Sequence, residues 1–210
     1  MKINSLIEKT SNISCFRTGL LAAGNDLAQV RLQLNRWEKQ KKILKLNKGV
    51  YSLSTPYRKS EANPFVIAEG LKRGSYISLQ SALALYGHTP EHVPNITSVT
   101  TGRPQTINTA SGVFVYHHLQ ALHFWGYVRQ QTEDGEDWFI AEREKALFDL
   151  VYLISGADKL PFLEELRLQN LNEFDEERLS AYAQKFKSKK INRALCNILA
   201  ILRAGEGVSV

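Results

Sequence analysis

Apolar residues recur every three or four positions in one stretch near the N-terminus. They are Leu27, Val30, Leu34 and Trp37. At 3.6 residues per turn this spacing predicts an amphipathic helix that buries the stripe, with Asn25 as its N-cap and Asp26 in its first turn. Apolar alternation follows over residues 43–46 and again over 50–53, on either side of the turn-forming residues 47–49. This change of period predicts a β-hairpin directly after the helix.

Two shorter apolar stripes precede this helix. They cover residues 3–7 and 15–23, and Gly24 closes the second. Both predict short helices. Three helices and a hairpin within residues 1–56 are typical of a winged helix-turn-helix domain, which presents its last helix to the major groove of DNA. Winged helices also serve as protein-interaction modules, and only the lysines of this stretch argue against that alternative.

The remaining residues, 57–210, predict a second domain that mixes helices and strands. Alternating apolar stretches predict a small, mainly antiparallel sheet. These stretches are Ser75–Ile77, Ile96–Thr101, Gly112–His117 and Trp138–Ile140. Helical spacing predicts that the chain is helical from about residue 141 onward, beginning with the apolar stretch 141–154. The predicted fold class is therefore α+β: an N-terminal winged helix-turn-helix followed by an α+β domain with a helical tail.

The distribution of charge suggests a partner for the first domain. The chain has 210 residues and a formal net charge of +6. Residues 1–60 hold twelve Lys or Arg against three Asp or Glu, a balance of +9, whereas residues 61–210 hold fifteen against eighteen, a balance of −3. A charge run alone is more often a solvated helix face. Its position on a helix and a hairpin favours double-stranded DNA as the partner.

The predicted helix and hairpin divide their polar side chains among three kinds of DNA contact. Phosphate contacts are predicted for Arg31, Arg36, Lys39 and Lys41. Because amides and guanidinium groups pair with base edges in the major groove, base readout is predicted for Gln29, Gln33, Asn35 and Arg36. The hairpin is predicted to reach the backbone or the minor groove with Lys45, Asn47 and Lys48.

Cysteine usage and apolar runs bear on the compartment. Neither Cys15 nor Cys196 belongs to a CxxC pair, so the sequence indicates neither a zinc site nor a disulfide framework. The N-terminus lacks the apolar core of a signal peptide, and no apolar run approaches the length of a membrane span. These observations predict a cytoplasmic protein without a membrane partner, and they leave the oligomeric state open.

Three further clusters are candidates for chemistry or binding. His117 and His118 would point to opposite faces of a strand, which disfavours a shared metal with His123. The stretch 142–149 holds the carboxylates and the lysine of a magnesium-dependent nuclease, yet capping acids and a helix salt bridge explain them better. A second basic cluster near residues 185–193 predicts a solvated helix end or an extension of the DNA-binding surface. No catalytic residue, cofactor or metal is predicted.

Five motifs follow one another in a fairly specific order and spacing. They are KGVYSL in the hairpin, SYISLQSALALYG at 75–87, TSVTTGRP at 97–104, GVFVYHHL at 112–119 and AEREKALFDLVYL at 141–153. Together they resemble the AbiEi-like antitoxin and transcriptional regulator family of type IV toxin-antitoxin systems. The resemblance spans roughly residues 1–155.

This resemblance implies an N-terminal winged helix that binds the promoter of its own operon, here through residues 26–40 and 43–53. It also implies a C-terminal domain that counters a nucleotidyltransferase-like toxin, without a stable complex between the two proteins. The family offers no catalytic residues to carry over. The expected function is thus an autorepressing antitoxin that is not an enzyme. A nucleic-acid-processing enzyme delivered by the winged helix and a toxin-occluding interaction module are the alternatives.

Overall fold

The N-terminal region, residues 2–57, combines helices with a three-stranded sheet. The computed structural model of the chain describes residues 2–22, 24–91 and 93–206. The N-terminal helices are α1 (Ile3–Thr10), α2 (Thr18–Ala22) and α3 (Leu27–Lys39). The strands are β1 (Phe16–Arg17), β2 (Ile43–Asn47) and β3 (Val50–Leu53). The sheet is antiparallel in the order β1–β3–β2, and β2 and β3 form the predicted hairpin.

Helix α3 follows its predicted pattern except at its first turn. Asp26, rather than Asn25, is the N-cap, because its carboxylate accepts a hydrogen bond from the Ala28 amide at 3.0 Å. Leu27 is 47% exposed, so the buried stripe has three members. These are Val30, Leu34 and Trp37. They pack in a cluster of buried residues that belongs to the N-terminal region alone.

The helix predicted over residues 15–23 is wrong in its first half. Phe16 and Arg17 pair with Tyr51 and Val50 of β3, and the chain becomes helical only at Thr18. The pairing partner of Phe16 lies 35 residues later in the chain, a relation that local spacing does not reveal. The last residue of the predicted helix, Ala23, lies outside the described residues.

The C-terminal region, residues 58–206, contains a six-stranded mixed sheet. Its strands are β4 (Ser75–Ile77), β5 (Asn95–Thr100), β6 (Gln105–Thr109), β7 (Gly112–His118), β8 (Tyr127–Gln131) and β9 (Asp137–Ala141). They are ordered β6–β7–β5–β4–β9–β8. Three pairings are antiparallel, in line with the predicted mainly antiparallel sheet, but β4 with β9 and β5 with β7 are parallel, so the sheet is mixed. Strand β6 lies between two of the predicted strands, in a stretch for which no strand was predicted.

Helices cover this sheet and form the end of the described chain. They are α4 (Pro64–Leu71), α5 (Leu79–Leu85), α6 (Arg143–Leu153), α7 (Leu160–Glu165), α8 (Glu176–Phe186) and α9 (Lys189–Glu206). Asn63 and Asp175 cap α4 and α8 through their side chains. Every residue of α6 from Glu144 to Val151 is buried, which makes α6 the central helix of the larger core. The chain is therefore an α+β protein.

The two regions are in contact through the hairpin and the segment before α2. Leu46 and Val50 of the hairpin belong to the larger buried cluster, whose other members lie in the C-terminal region. The Glu136 carboxylate accepts hydrogen bonds from the Ser14 amide at 2.8 and 2.9 Å and from the Ser14 hydroxyl at 2.5 Å. The Arg17 guanidinium donates to the Gly70 carbonyl at 2.6 Å. These contacts hold α3 and the hairpin in a defined position beside the C-terminal sheet.

Candidate nucleic-acid interface

Helix α3 exposes two sides that differ in composition. With about 100° between successive residues, positions 29, 36 and 40 share one side and positions 31 and 35 share another. All five residues are exposed. The first side is termed the outer face, and it comprises Gln29, Leu32, Arg36, Lys39 and Gln40. It presents amide, cationic and apolar groups on one continuous strip.

The second side of α3 lines a cleft of about 1150 Å³ between the two regions, termed the cationic cleft. Arg31 and Asn35 contribute from α3, and the hairpin contributes Lys45 and Lys48. Arg17 of β1 also lines it. The C-terminal region adds the following residues: Val66, Glu69, Gly70, Arg73 and Asp137. The cleft thus joins parts of the chain that lie far apart in the sequence.

Positive charge dominates the cationic cleft. Five cations and two acids line it, a balance of +3. Asp137 is already paired with Arg129 at 2.6 Å. Burial and the neighbouring Asp137 raise the pKa of Glu69, while Arg73 opposes this rise. Within the described residues, none of the five cations forms an ion pair, although the Arg17 guanidinium donates a hydrogen bond to the Gly70 carbonyl.

Local hydrogen bonds order the tip of the hairpin. Gly49 has a φ of +74°, which favours glycine at this position. The Asn47 side chain accepts a hydrogen bond from the Lys48 amide at 2.8 Å. The Thr18 amide donates to the Gly49 carbonyl at 3.0 Å, which attaches the tip to the start of α2. Lys45 and Lys48 therefore project from an ordered support and remain exposed.

The predicted contact residues divide among three locations. The cationic cleft brings together Arg31, Asn35, Lys45 and Lys48. The outer face carries Gln29, Arg36 and Lys39. Gln33 and Asn47 are half-buried, and the Asn47 side chain accepts a hydrogen bond at the hairpin tip. Lys41 is exposed just after α3 at a φ of +56°, where its carbonyl accepts from the Ser54 hydroxyl at 2.7 Å.

The sequence does not predict two of the cations in the cleft. Arg17 fell within the predicted second helix, and Arg73 lies between α4 and β4 in the other region. Neither residue belongs to the charge run at 31–48. The pairing of β1 with β3 places Arg17 beside the hairpin, and the contact between the two regions places Arg73 there, so no local signal identifies either residue.

A second group of polar residues lies in the core rather than at the surface. Lys145 and Asp149 form an ion pair one turn apart on α6, as their spacing predicts, but both side chains are 0% exposed. The Asp149 carboxylate also accepts from the hydroxyls of Tyr76 at 3.0 Å and Ser78 at 2.8 Å. Burial raises the pKa of Asp149, and the Lys145 ammonium opposes this rise. Burial also lowers the pKa of Lys145, and Asp149 opposes that change.

The neighbouring acids of α6 join helices instead of capping their own. The Glu144 carboxylate accepts a hydrogen bond from the Asp175 amide at 3.1 Å and lies 3.8 Å from the Arg178 guanidinium. Glu142 accepts a hydrogen bond from the Tyr182 hydroxyl. Glu142 is the N-cap residue of α6 and Glu144 lies in its first turn, as expected, but neither side chain forms a cap hydrogen bond there.

One histidine and two cations of the second basic cluster are engaged within the fold. His123 is buried with its ring centroid 4.8 Å from that of Phe186. Among the described residues, no group of three or more His, Cys, Asp or Glu is placed to hold a metal ion. Lys190 donates to the carbonyl of Ile154 at 2.5 Å, and Arg193 pairs with Asp158 at 2.7 Å. These cations stabilise the packing of α9 on the preceding segment.

Comparison of the chain with protein-family models and with curated proteins gives no match in either. In the part of the chain that the structure describes, no helix combines the length and the apolar character needed to cross a bilayer.

Proposed function

We propose that the chain is a sequence-specific DNA-binding regulator and that its N-terminal region is a winged helix-turn-helix. The order α1–β1–α2–α3–β2–β3 supports this assignment, with α3 as the recognition helix and the hairpin as the wing. One observation carries the proposal: α3 and the hairpin expose Arg31, Lys45 and Lys48 without ion-pair partners among the residues that the structure describes, beside an outer face that mixes amides and cations. Such groups lower the free energy of a complex with phosphates and base edges.

The two sides of α3 suggest two kinds of DNA contact. The outer face enters the major groove, where Gln29 and Arg36 hydrogen-bond to base edges and Lys39 contacts a phosphate. Arg31, Lys45 and Lys48 contact the adjoining backbone from the cationic cleft. Gln33 is half-buried, which makes it the weakest of the proposed base-reading residues.

A salt titration tests the proposal directly. The probe is a labelled duplex with the sequence upstream of the chain's own gene, beside a shuffled duplex of the same composition. We expect the Lys45→Ala/Lys48→Ala variant to bind both duplexes more weakly. Its plot of log affinity against log salt should be less steep by about two units, because each lost phosphate contact removes about 0.9.

The matched control is the Lys9→Ala/Lys159→Ala variant. It removes the same charge from two exposed lysines that lie outside the cationic cleft. Equal slopes for the two variants would reduce the effect to net charge and overturn the assignment of the wing. Failure of the unmodified protein to bind either duplex would overturn the proposed function as a whole.

We further propose that the regulator represses its own operon as an antitoxin, which rests on the motif resemblance. A promoter fused to a reporter gene tests the first part, since the intact chain should lower expression and the Lys45→Ala/Lys48→Ala variant should not. Coexpression with a nucleotidyltransferase-like toxin encoded next to it tests the second. The rival proposal, a nuclease centred on Asp149, gains no support from the structure, because Asp149 and Lys145 are both fully buried.

A further inference from the structure

We propose that the C-terminal region takes part directly in binding DNA. In this proposal the cationic cleft holds the DNA backbone, and Arg73 contacts a phosphate from the C-terminal side of the cleft. The inference rests on the proposed function and extends it, because it adds to the winged helix a contact from a region that has a net negative charge in the sequence.

The position of Arg73 is fixed relative to the hairpin. Arg73 follows the last turn of α4, and that turn is attached to the N-terminal region by the hydrogen bond from Arg17 to the Gly70 carbonyl. The Cys15 side chain packs so closely on Gly70 that a Cβ at this position would collide with the sulfur. A glycine therefore permits the close approach, and the approach brings Arg73 into the same cleft as Lys45 and Lys48.

The arrangement of charges in the cleft favours the binding of an extended anion. In the described part of the chain, Arg31, Lys45, Lys48 and Arg73 lie around one cavity without ion pairs, and Glu69 and Asp137 offset only part of their charge. Converging cations repel one another, so an anion that neutralises several of them is bound favourably. The cleft of about 1150 Å³ adjoins both α3 and the wing. A DNA strand that contacts the wing lysines can therefore continue past Arg73.

The Arg73→Ala variant tests this contact in the full-length protein with a short labelled duplex of mixed sequence. Each phosphate contact makes binding about fourfold weaker as salt rises from about 50 to 200 mM. We therefore expect a less steep salt dependence, by about 0.9 in slope. The ratio of the variant's Kd to the wild-type Kd should fall about fourfold over the same range. The Arg73→Lys variant keeps the charge and should keep the wild-type slope.

The Lys159→Ala variant is the control, because it removes one exposed cation of the C-terminal region outside the cleft. If the wild-type protein binds the duplex and Arg73→Ala has the slope of the wild type or of Lys159→Ala, the inference is wrong while the proposed function stands. If ATP alone binds the wild-type protein and Arg73→Ala abolishes that binding, the cleft holds a free nucleotide and the assignment to DNA is overturned. No binding of the wild-type protein to any duplex instead contradicts the proposed function.

Discussion

The protein handles charge in opposite ways in its two regions. In the cationic cleft, Arg31, Lys45 and Lys48 are exposed and form no ion pair within the described residues. In the core of the C-terminal region, Lys145 and Asp149 are fully buried, and each has partners. Water solvates the first group and leaves it free to meet a ligand. The second group can be buried only because each charge is compensated inside the protein.

This difference separates residues available for binding from residues that maintain the fold. A titratable cluster with strongly perturbed pKa values is often a sign of a functional site. Here the perturbed pair Lys145 and Asp149 lies where no ligand reaches it, while the exposed cations carry the binding hypothesis. Accessibility, rather than perturbation, distinguishes the two roles in this chain.

The largest effect is expected from breaking the buried pair. The Asp149→Ala variant leaves the Lys145 ammonium without a counterion in the core, so its free energy of unfolding should fall by about 3–5 kcal/mol. Urea unfolding followed by circular dichroism measures this loss. A loss below about 1 kcal/mol, the value of an exposed pair, would show that water reaches Lys145 and would contradict a structural role for the buried pair.

A double variant is the matched control for that experiment. Lys145→Met/Asp149→Asn removes both charges but keeps an oxygen that accepts from Tyr76 and Ser78. It should recover most of the stability lost in Asp149→Ala, because no uncompensated charge remains. DNA affinity, measured at a temperature where each variant is folded, should be unchanged in both.

A smaller effect is expected where the two regions meet. Glu136→Ala removes the acceptor of the hydrogen bonds from the Ser14 amide and hydroxyl. A hydrogen bond to a charged group contributes about 1.5–3 kcal/mol to stability. The neighbouring Cys15 reports on this contact. Burial is the main cause that raises the pKa of its thiol to about 12, and the Glu136 carboxylate adds to the rise. At pH 8 the unreactive thiol form therefore dominates in the wild-type protein.

Thiol labelling measures this effect in a Cys196→Ser background, which removes the exposed second cysteine. Glu136→Ala should speed the reaction of Cys15 with a disulfide reagent at pH 8, because loosening the contact exposes the thiol. Glu133→Ala is the control, because Glu133 is an exposed acid of the same loop between β8 and β9. Equal rates in the two variants would show that Glu136 does not hold the regions together.

Local spacing predicted those elements whose partners lie close by in the sequence. The stripe of α3 and the alternation of the hairpin gave both elements nearly in place, because each is decided within a few turns or strand positions. Strand β1 was missed because it pairs with β3, 35 residues later. The polar strand β6 was missed because its pattern lacks the expected apolar alternation and it depends on pairing with β7.

The same limit applies to the candidate site. The charge run identified Arg31, Lys45 and Lys48, which share a helix and its following hairpin. It did not identify Arg73, because only the packing of α4 on the N-terminal region brings that residue to the cleft. The spacing of Lys145 and Asp149 predicted their ion pair, but their burial depends on α6 being covered by other elements on all sides.

The smallest effect is expected from an apolar residue on the outer face of α3. Leu32 is 54% exposed on the outer face, so Leu32→Ala should change the free energy of unfolding by less than about 0.5 kcal/mol. If the outer face enters the major groove as proposed, we expect it to bind the upstream duplex about threefold more weakly, because an apolar side chain there can contact a thymine methyl group. Replacing single thymines with deoxyuridine should weaken wild-type binding at one position and leave the variant unaffected there. An equal loss on the shuffled duplex would instead assign Leu32 to a contact that does not read sequence.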